Sequence, residues 1–283
     1  MQITNKLNLP DAFVEAVRND AYSKGDADIS VTTLVGPPQI RTLLEQYDAV
    51  IEEDASDRVW ALLGQAVHTV LERSAREAVT EQRLYAELDG KRISGQIDSQ
   101  DFRSGAIDDW KTTSAWAVKD GPRDDWVKQL NVYAWLAHEN GIPTNALRVC
   151  AILRDWHWSE AQRYEHYPRG AVLTLPIPLW PIEQTRVYIR DRLRIHFAGE
   201  TPDCTDEERW AKPGEWAVMK EGRKSAVRLL ESYPEAAAYI TSEGLKSPPH
   251  SIVERPGEYT RCMRYCPVRK FCPQLQREGI TPA

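Results

Sequence analysis

Apolar and polar positions alternate along the chain in patterns that predict its elements. Residues 28–46, "DISVTTLVGPPQIRTLLEQ", begin as a short extended segment and continue as a helix. The prolines suit a helix start, where a missing N–H costs little. Acids in "EEDASDR" precede a helical pattern over 59–79, where they complement the helix dipole. Strand patterns follow at 83–88, 91–98 and 105–111. The "DG" at 89–90 signals a tight hairpin, and "SQDFRSG" marks a second turn. Residues 124–139 return to helical spacing, 146–156 read as a buried strand, and 181–198 read as an amphipathic helix that starts with proline. The order helix, three antiparallel strands, helix, strand, helix predicts an α/β core over about residues 28–198.

The character changes after Cys204. "EWAVMK" and "SAVRLLES" read as strands, "PEAAAYITSEG" as a helix capped by Gly244, and "HSIVERPGEY" as a third strand. Two domains are expected, residues 1–200 and a small α+β module at 201–283. No internal repeat is visible.

Composition adds constraints. The 283 residues are 42% apolar and 28% charged, as in ordinary globular proteins. No apolar run approaches the roughly 18 residues of a membrane span. The start, "MQITNKLNLPDAF", lacks the apolar core of a secretion signal. The expected location is therefore cytoplasmic, with no membrane partner. A net charge of −6 argues against a protein that coats nucleic acid non-specifically. It leaves room for an enzyme with a local basic groove.

Candidate chemistry centres on "GQIDSQDFRSGAIDDWK". Alternation puts Asp109 and Lys111 on one strand face and turns Asp108 away. Pairing of the two strands brings Asp98 toward Asp109. Converging carboxylates repel each other and call for a cation, and Mg²⁺ or Mn²⁺ suits such oxygen donors. A lysine beside them can position a water or stabilise charge growing on a phosphate. Taken alone, D-x-K fits a solvated hairpin equally well. Its surroundings add His68 within a helical pattern, Gly95 three residues before Asp98, and Gln129 and Tyr133 on one helix face. Glu72, one turn after His68, is either its support or an exposed helix acid.

The cysteines form a second constellation. "RCMRYCPVRKFCPQ" spaces Cys262, Cys266 and Cys272 as C-x3-C-x5-C. Three clustered thiols need a fourth ligand for a tetrahedral zinc or a cubane cluster. Cys204, in a loop-like stretch, is the better candidate, ahead of His250; Cys150 reads as a small buried hydrophobe. Basic residues gather here too: 261–277 hold five Arg/Lys and no acid, and Lys220, Arg223 and Lys224 lie nearby. They make either a solvated surface or a phosphate-binding arm. Trp210 and Trp216 are read as core residues before stacking surfaces.

The ordered set Gly64–His68, Gly95–Asp98, Asp109–Thr112 and Gln129–Tyr133 resembles the RecB-like branch of the PD-(D/E)XK nuclease superfamily, over about residues 28–155. It is most like the phage and CRISPR-associated single-chain members, and no phosphate loop of an ATP motor is found. The resemblance implies a restriction-endonuclease-like α/β fold with a mixed central sheet flanked by helices. It implies a metal held by His68, Asp98, Asp109 and the Trp110 carbonyl, with Lys111 as the catalytic lysine. Gln129 and Tyr133 would shape the site and contact DNA. The implied reaction is metal-dependent hydrolysis of linear single- or double-stranded DNA, as an exonuclease in phage-type recombination or processing. The alternative is a non-catalytic DNA-binding or scaffold protein. Iron–sulfur members also carry three C-terminal cysteines, but their fourth comes from the N-terminal segment. Here "LVGPPQIRTL" has none, and the first spacing is x3 in place of the commoner x2. A [4Fe–4S] cluster is favoured by resemblance, with structural Zn²⁺ as the alternative. A recombination partner protein and homo-oligomerisation are left open.

Overall fold

The structure, a computed structural model, describes residues 1–19, 24–74 and 79–281. It divides into two units, Met1–Pro202 and Asp203–Ala283. The first unit runs β1 (Gln2–Thr4), α1 (Asp11–Arg18), β2 (Ile29–Ser30), α2 (Val31–Val35), α3 (Pro38–Tyr47), β3 (Glu52–Asp54) and α4 (Val59–Ser74). It continues with β4 (Val79–Leu88), β5 (Lys91–Asp101), β6 (Ala106–Thr113), α5 (Asp124–Glu139), β7 (Ala146–Leu153), α6 (Trp158–Arg163), β8 (Val172–Ile177) and α7 (Ile182–His196).

The hairpin forms where "DG" predicts it. Asp89 and Gly90 take φ of 50° and 71°, the backbone of a two-residue type I′ turn. Leu88 therefore faces Lys91, and β4 and β5 pair antiparallel in unbroken register out to Val79↔Gln100, except at Glu81 and Asp98. The main sheet has the order β2-β5-β6-β7-β8, with β4 on the other edge of β5. β5 and β6 are antiparallel, β6 and β7 parallel through the α5 crossover, and β7 and β8 antiparallel. The sheet is thus mixed.

One edge of β5 is shared by two partners. β2 pairs with Ile93 and Ser94, and β6 pairs only with Ser99, Gln100 and Asp101. Residues 95–98 lie between them, at a fork where β6 parts from β5 and continues along β7. Helix α5 packs on this region, with residues 130–137 all buried. Gly95 makes that approach possible: a Cβ there would lie 2.7 Å from both Leu136 Cδ1 and Tyr133 Cε1.

Several elements differ from the sequence expectation. Over 28–46, α3 opens at Pro38 as the prolines predict, but the extended segment before it is only β2, followed by the short helix α2 that ends at Gly36. The helix expected over 59–79 ends at Ser74; residues 75–78 lie outside the described residues, and Val79 already belongs to β4. Strands β1, β3 and β8 and helices α1 and α6 carry no pattern strong enough to have been read. β8 includes Pro176, which an edge strand tolerates.

The second unit contains β9 (Ala211–Lys212), β10 (Glu215–Lys220), β11 (Arg228–Leu230), α8 (Tyr233–Ser242), β12 (His250–Arg255), β13 (Glu258–Tyr259) and α9 (Pro273–Arg277). β11-β10-β12 form an antiparallel sheet, and β9 and β13 a short ribbon. Among the described residues, no helix is long and apolar enough to cross a membrane.

The packing at Gly95 makes a direct prediction. Gly95→Ala should lower stability by about 1–3 kcal/mol through overpacking, read as a lower Tm. An unchanged Tm would show that α5 is free to shift.

Candidate active site

The site lies at the fork. Where the β5–β6 ladder stops, the Trp110 N–H has no strand carbonyl to meet and donates instead to Asp98 Oδ2 at 2.7 Å. A carboxylate has replaced a rung of the sheet. Asp98 is only 7% exposed. Burial, and then the negative charge of Asp109, push its pKa up to about 7.

His68 reaches this point from α4. Its Nε2 donates to the Trp110 carbonyl at 3.0 Å, and its ring meets the Trp110 ring edge-on at 5.6 Å. Its Nδ1 lies 3.4 Å from Glu81 Oε1 and 3.5 Å from Asp98 Oδ1. All three neighbours are acceptors, so both ring nitrogens are placed to carry protons. Burial opposes that charge, but the Glu81 hydrogen bond and the Asp98 charge outweigh it and raise the His68 pKa.

Glu81 is the residue the sequence reading missed. It sits opposite Asp98 in the hairpin, at φ 52°, a left-handed backbone that few non-glycine residues adopt. Its Oε2 accepts from Gln96 Nε2 at 2.5 Å, and Gln96 Oε1 in turn accepts from Arg83 at 2.6 Å. The His68 hydrogen bond holds the Glu81 pKa below its ordinary value. One donor atom each from His68, Glu81 and Asp98 lie within 4.8 Å of one another, the geometry of a cation site. The signal was available: a two-residue turn at 89–90 makes partners sum to 179, so Glu81 faces Asp98. Glu72, the support weighed from helical spacing, is exposed.

Asp109 and Lys111 form a second pair. Lys111 Nζ lies 2.9 Å from Asp109 Oδ1 and 2.7 Å from Oδ2. Asp109 is 1% exposed. Burial works to lower the Lys111 pKa, but Asp109 and then Asp98 outweigh it and hold it above the ordinary value. Asp108 points elsewhere, in a bidentate pair with Arg148 at 2.6 and 2.7 Å. Asp101 caps the turn through Arg103 and Ser104. Gln129 Nε2 donates to the Tyr133 hydroxyl at 2.8 Å; Tyr133 is buried against Gly95 and Gln129 is half-buried.

In the second unit, Cys262, Cys266 and Cys272 are buried and Cys204 half-buried. Burial, then Glu208 and the other three thiols, push Cys204 up to about 12. Burial likewise pushes Cys266 up to about 11, with Cys262 and Cys272 adding to it. The four sulfurs therefore sit within electrostatic reach of one another. Gln274 fixes Cys204 by two reciprocal backbone bonds of 3.0 Å. His250 instead bonds the Lys246 carbonyl at 3.0 Å. Lys220, Arg223 and Lys224 are exposed around the turn after β10. Trp210 stacks near Tyr265 and under Arg261, and Trp216 packs on Tyr233.

The Asp98 environment sets a pH dependence. Its pKa is about 7 in the fold against 3.8 as a free side chain, so the folded state binds the extra proton. That stabilisation is complete below the free value and is lost as pH rises to about 7. In chelator-treated protein, the Tm of Asp98→Asn relative to wild type should therefore rise across this window. A pH-independent difference would contradict the assignment.

The sequence matches no curated protein. Among solved structures, SSO0001 aligns with a TM-score of 0.50 at 17% identity, over 70% of this chain and 89% of that one. A phage-related exonuclease from Haemophilus somnus 129PT aligns with a TM-score of 0.36 at 12% identity, over 62% of this chain and 93% of that one. At such identity, the likeness to SSO0001 speaks for the fold alone. A family model for the PD-(D/E)XK nuclease superfamily matches residues 44–273, which is most of the chain and includes the whole fork. With its mixed central sheet flanked by helices, the chain belongs to the PD-(D/E)XK nuclease superfamily and has the restriction-endonuclease-like fold.

Proposed function

We propose that the protein is a divalent-metal-dependent deoxyribonuclease, acting as an exonuclease in phage-type DNA recombination or processing within the cytoplasm. The nuclease domain would be residues 1–200, with residues 201–283 as an accessory module. The observation that carries this reading is the juxtaposition of the His68–Glu81–Asp98 cluster with the ion pair between buried Asp109 and half-buried Lys111. A non-catalytic DNA-binding scaffold would have no use for this concentration of buried, mutually repelling carboxylates.

The donors fit Mg²⁺ or Mn²⁺. Asp98 is held up to about 7 by burial and Asp109, which is the state of a carboxylate lacking its counter-charge. The ligands would be His68, Asp98, Asp109 and the Trp110 carbonyl, with Glu81 completing or orienting the set. A divalent cation supplies, when bound, the neutralising charge and an acidified water. His68 would hold the cation through a ring nitrogen freed of its proton. Asp98 stays ordered through the Trp110 N–H. Lys111, aligned by Asp109, orients the attacking water and stabilises negative charge on the phosphate. Gln129, fixed by Tyr133, shapes the wall of the site against the DNA. Lys220, Arg223 and Lys224 offer phosphate contacts in the accessory module.

For Cys204, Cys262, Cys266 and Cys272 we propose a structural [4Fe–4S] cluster. Four sulfur donors with no histidine suit it, and burial leaves the Cys204 and Cys266 thiols protonated without a metal. Arg209, 3% exposed and interacting with Cys262, provides positive charge beside it.

Three measurements test these assignments. With Mg²⁺ or Mn²⁺, wild type should degrade linear DNA, and Asp109→Asn and Lys111→Ala should each lose roughly 10²-fold or more in rate. No degradation of any DNA form by wild type would overturn the nuclease assignment. Glu81→Gln should raise the Mn²⁺ concentration for half-maximal rate by about 10- to 100-fold, whereas an unchanged metal requirement removes Glu81 from the metal's surroundings. Anaerobically purified protein should be brown and contain iron and sulfide; a colourless, zinc-loaded protein would replace the cluster with structural zinc.

A further inference from the structure

Helix α4 carries His68, yet none of its sixteen residues is buried. Its sequence, VWALLGQAVHTVLERS, is mostly apolar, and Trp60, Leu63 and Val70 are exposed at 54%, 38% and 62%. An apolar helix left uncovered by the described residues marks a binding surface.

Three residues of α4 form a stripe. Trp60, Gly64 and His68 are spaced four apart, so they follow one another along the same side of the helix. The stripe runs about 12 Å from Trp60 to His68. Gly64 lies midway. A glycine weakens a helix interior relative to alanine, and usually a packing partner explains it. Here a Cβ would meet nothing within 4 Å. Nothing in the described protein requires that residue to be small, so the clearance serves something that passes over it.

The far end of the stripe is an aromatic shelf. The Arg154 guanidinium lies 4.5 Å over the Trp60 ring, and the Arg154 N–H donates to the Thr113 carbonyl at 3.0 Å, two residues beyond Lys111. The next residue, Asp155, accepts the Ala115 N–H at 2.7 Å and so fixes the turn that presents Trp116. Trp116 is 47% exposed, set edge-on against Tyr164 at 5.6 Å and Tyr167 at 5.3 Å. Two exposed indoles are thus held by neighbouring residues of one segment, both at the end of β6 that carries Lys111. Indole faces with an adjacent guanidinium stack unpaired bases, while the bases of a duplex are already stacked on each other.

We propose that Trp60 and Trp116 form a base-stacking shelf that receives a single DNA strand and leads it past Gly64 to His68. The substrate at the site is then single-stranded, and a duplex end must fray before it enters. This rests on the nuclease reading for its direction of travel, but the shelf is a binding property that can be measured without cleavage.

The test is fluorescence anisotropy of the full chain in Ca²⁺ with a labelled oligothymidylate of about a dozen nucleotides and a duplex of equal length. Wild type should prefer the single strand. Trp60→Ala and Trp116→Ala should each weaken single-strand binding by roughly five- to a hundred-fold, with the loss persisting at high salt, where phosphate contacts fade. Trp60→Phe should recover most of the affinity. Gly64→Leu should weaken binding while its Tm stays at or above that of wild type, which separates a blocked path from a damaged fold. Equal binding of single strand and duplex, or tryptophan variants that bind like wild type, would overturn the shelf. Should Trp60→Ala instead change the sedimentation mass and leave DNA binding intact, the α4 face is a contact between copies and the proposal fails. A protein that binds single strands through these residues but hydrolyses no DNA keeps the shelf and loses the nuclease assignment.

Discussion

The bond from the Trp110 amide to the Asp98 carboxylate is the point on which the site depends. A buried backbone N–H must find an acceptor, and in a sheet that acceptor is ordinarily the next strand. At the fork it is a side chain. This allows β6 to leave β5 without an unsatisfied donor, and it anchors a carboxylate in the opening that results. His68 then closes on the same residue from the other side, through the Trp110 carbonyl. One peptide segment thereby orients an acid and a base together. The electrostatic strain of gathering Asp98, Asp109 and Glu81 is offset by Lys111 and His68, whose pKa values the neighbouring acids raise against the opposing effect of burial.

Much of this arrangement is legible in the sequence. The DG turn, the period-two strands and the helical run at 124–139 fix β4, β5, β6 and α5, because each is a strong local signal. Alternation alone separates Asp109 and Lys111 from Asp108, and Arg148 is found on Asp108. What escaped is non-local or conformational. β8 is a half-exposed edge strand containing proline, so its pattern is weak. Glu81 escaped because the strand pattern is clear only from residue 83, short of the true start of β4 at Val79, and because helical spacing offered Glu72 as a nearer partner for His68. The early end of β6 pairing also has no sequence signal, since Trp110 looks like any strand tryptophan until its amide is seen to turn toward Asp98.

The second unit is organised by a different rule. Its sheet is small and several of its strands are largely exposed, so its order depends on specific polar ties. Gln274 binds both backbone groups of Cys204, and Arg209, almost wholly buried, pairs with Glu278 beneath Tyr259. These contacts bring the two ends of the unit together independently of what the thiols hold. The chain's acidic balance is likewise local in its effects: acids concentrate where charge is needed at the fork, while 261–277 remain free of them.

The two-residue turn at Asp89 and Gly90 has a consequence for how this hairpin can vary over time. Glu81 and Asp98 meet because eight residues of β4 are counted against eight of β5 from that turn. Side chains on a strand switch sides at every step, so one residue gained or lost in either arm between turn and site would send one of the two acids to the opposite surface. Length changes there are tolerable only as matched pairs. The hairpin works as a ruler, and drift in its length is filtered by parity before any question of residue identity arises.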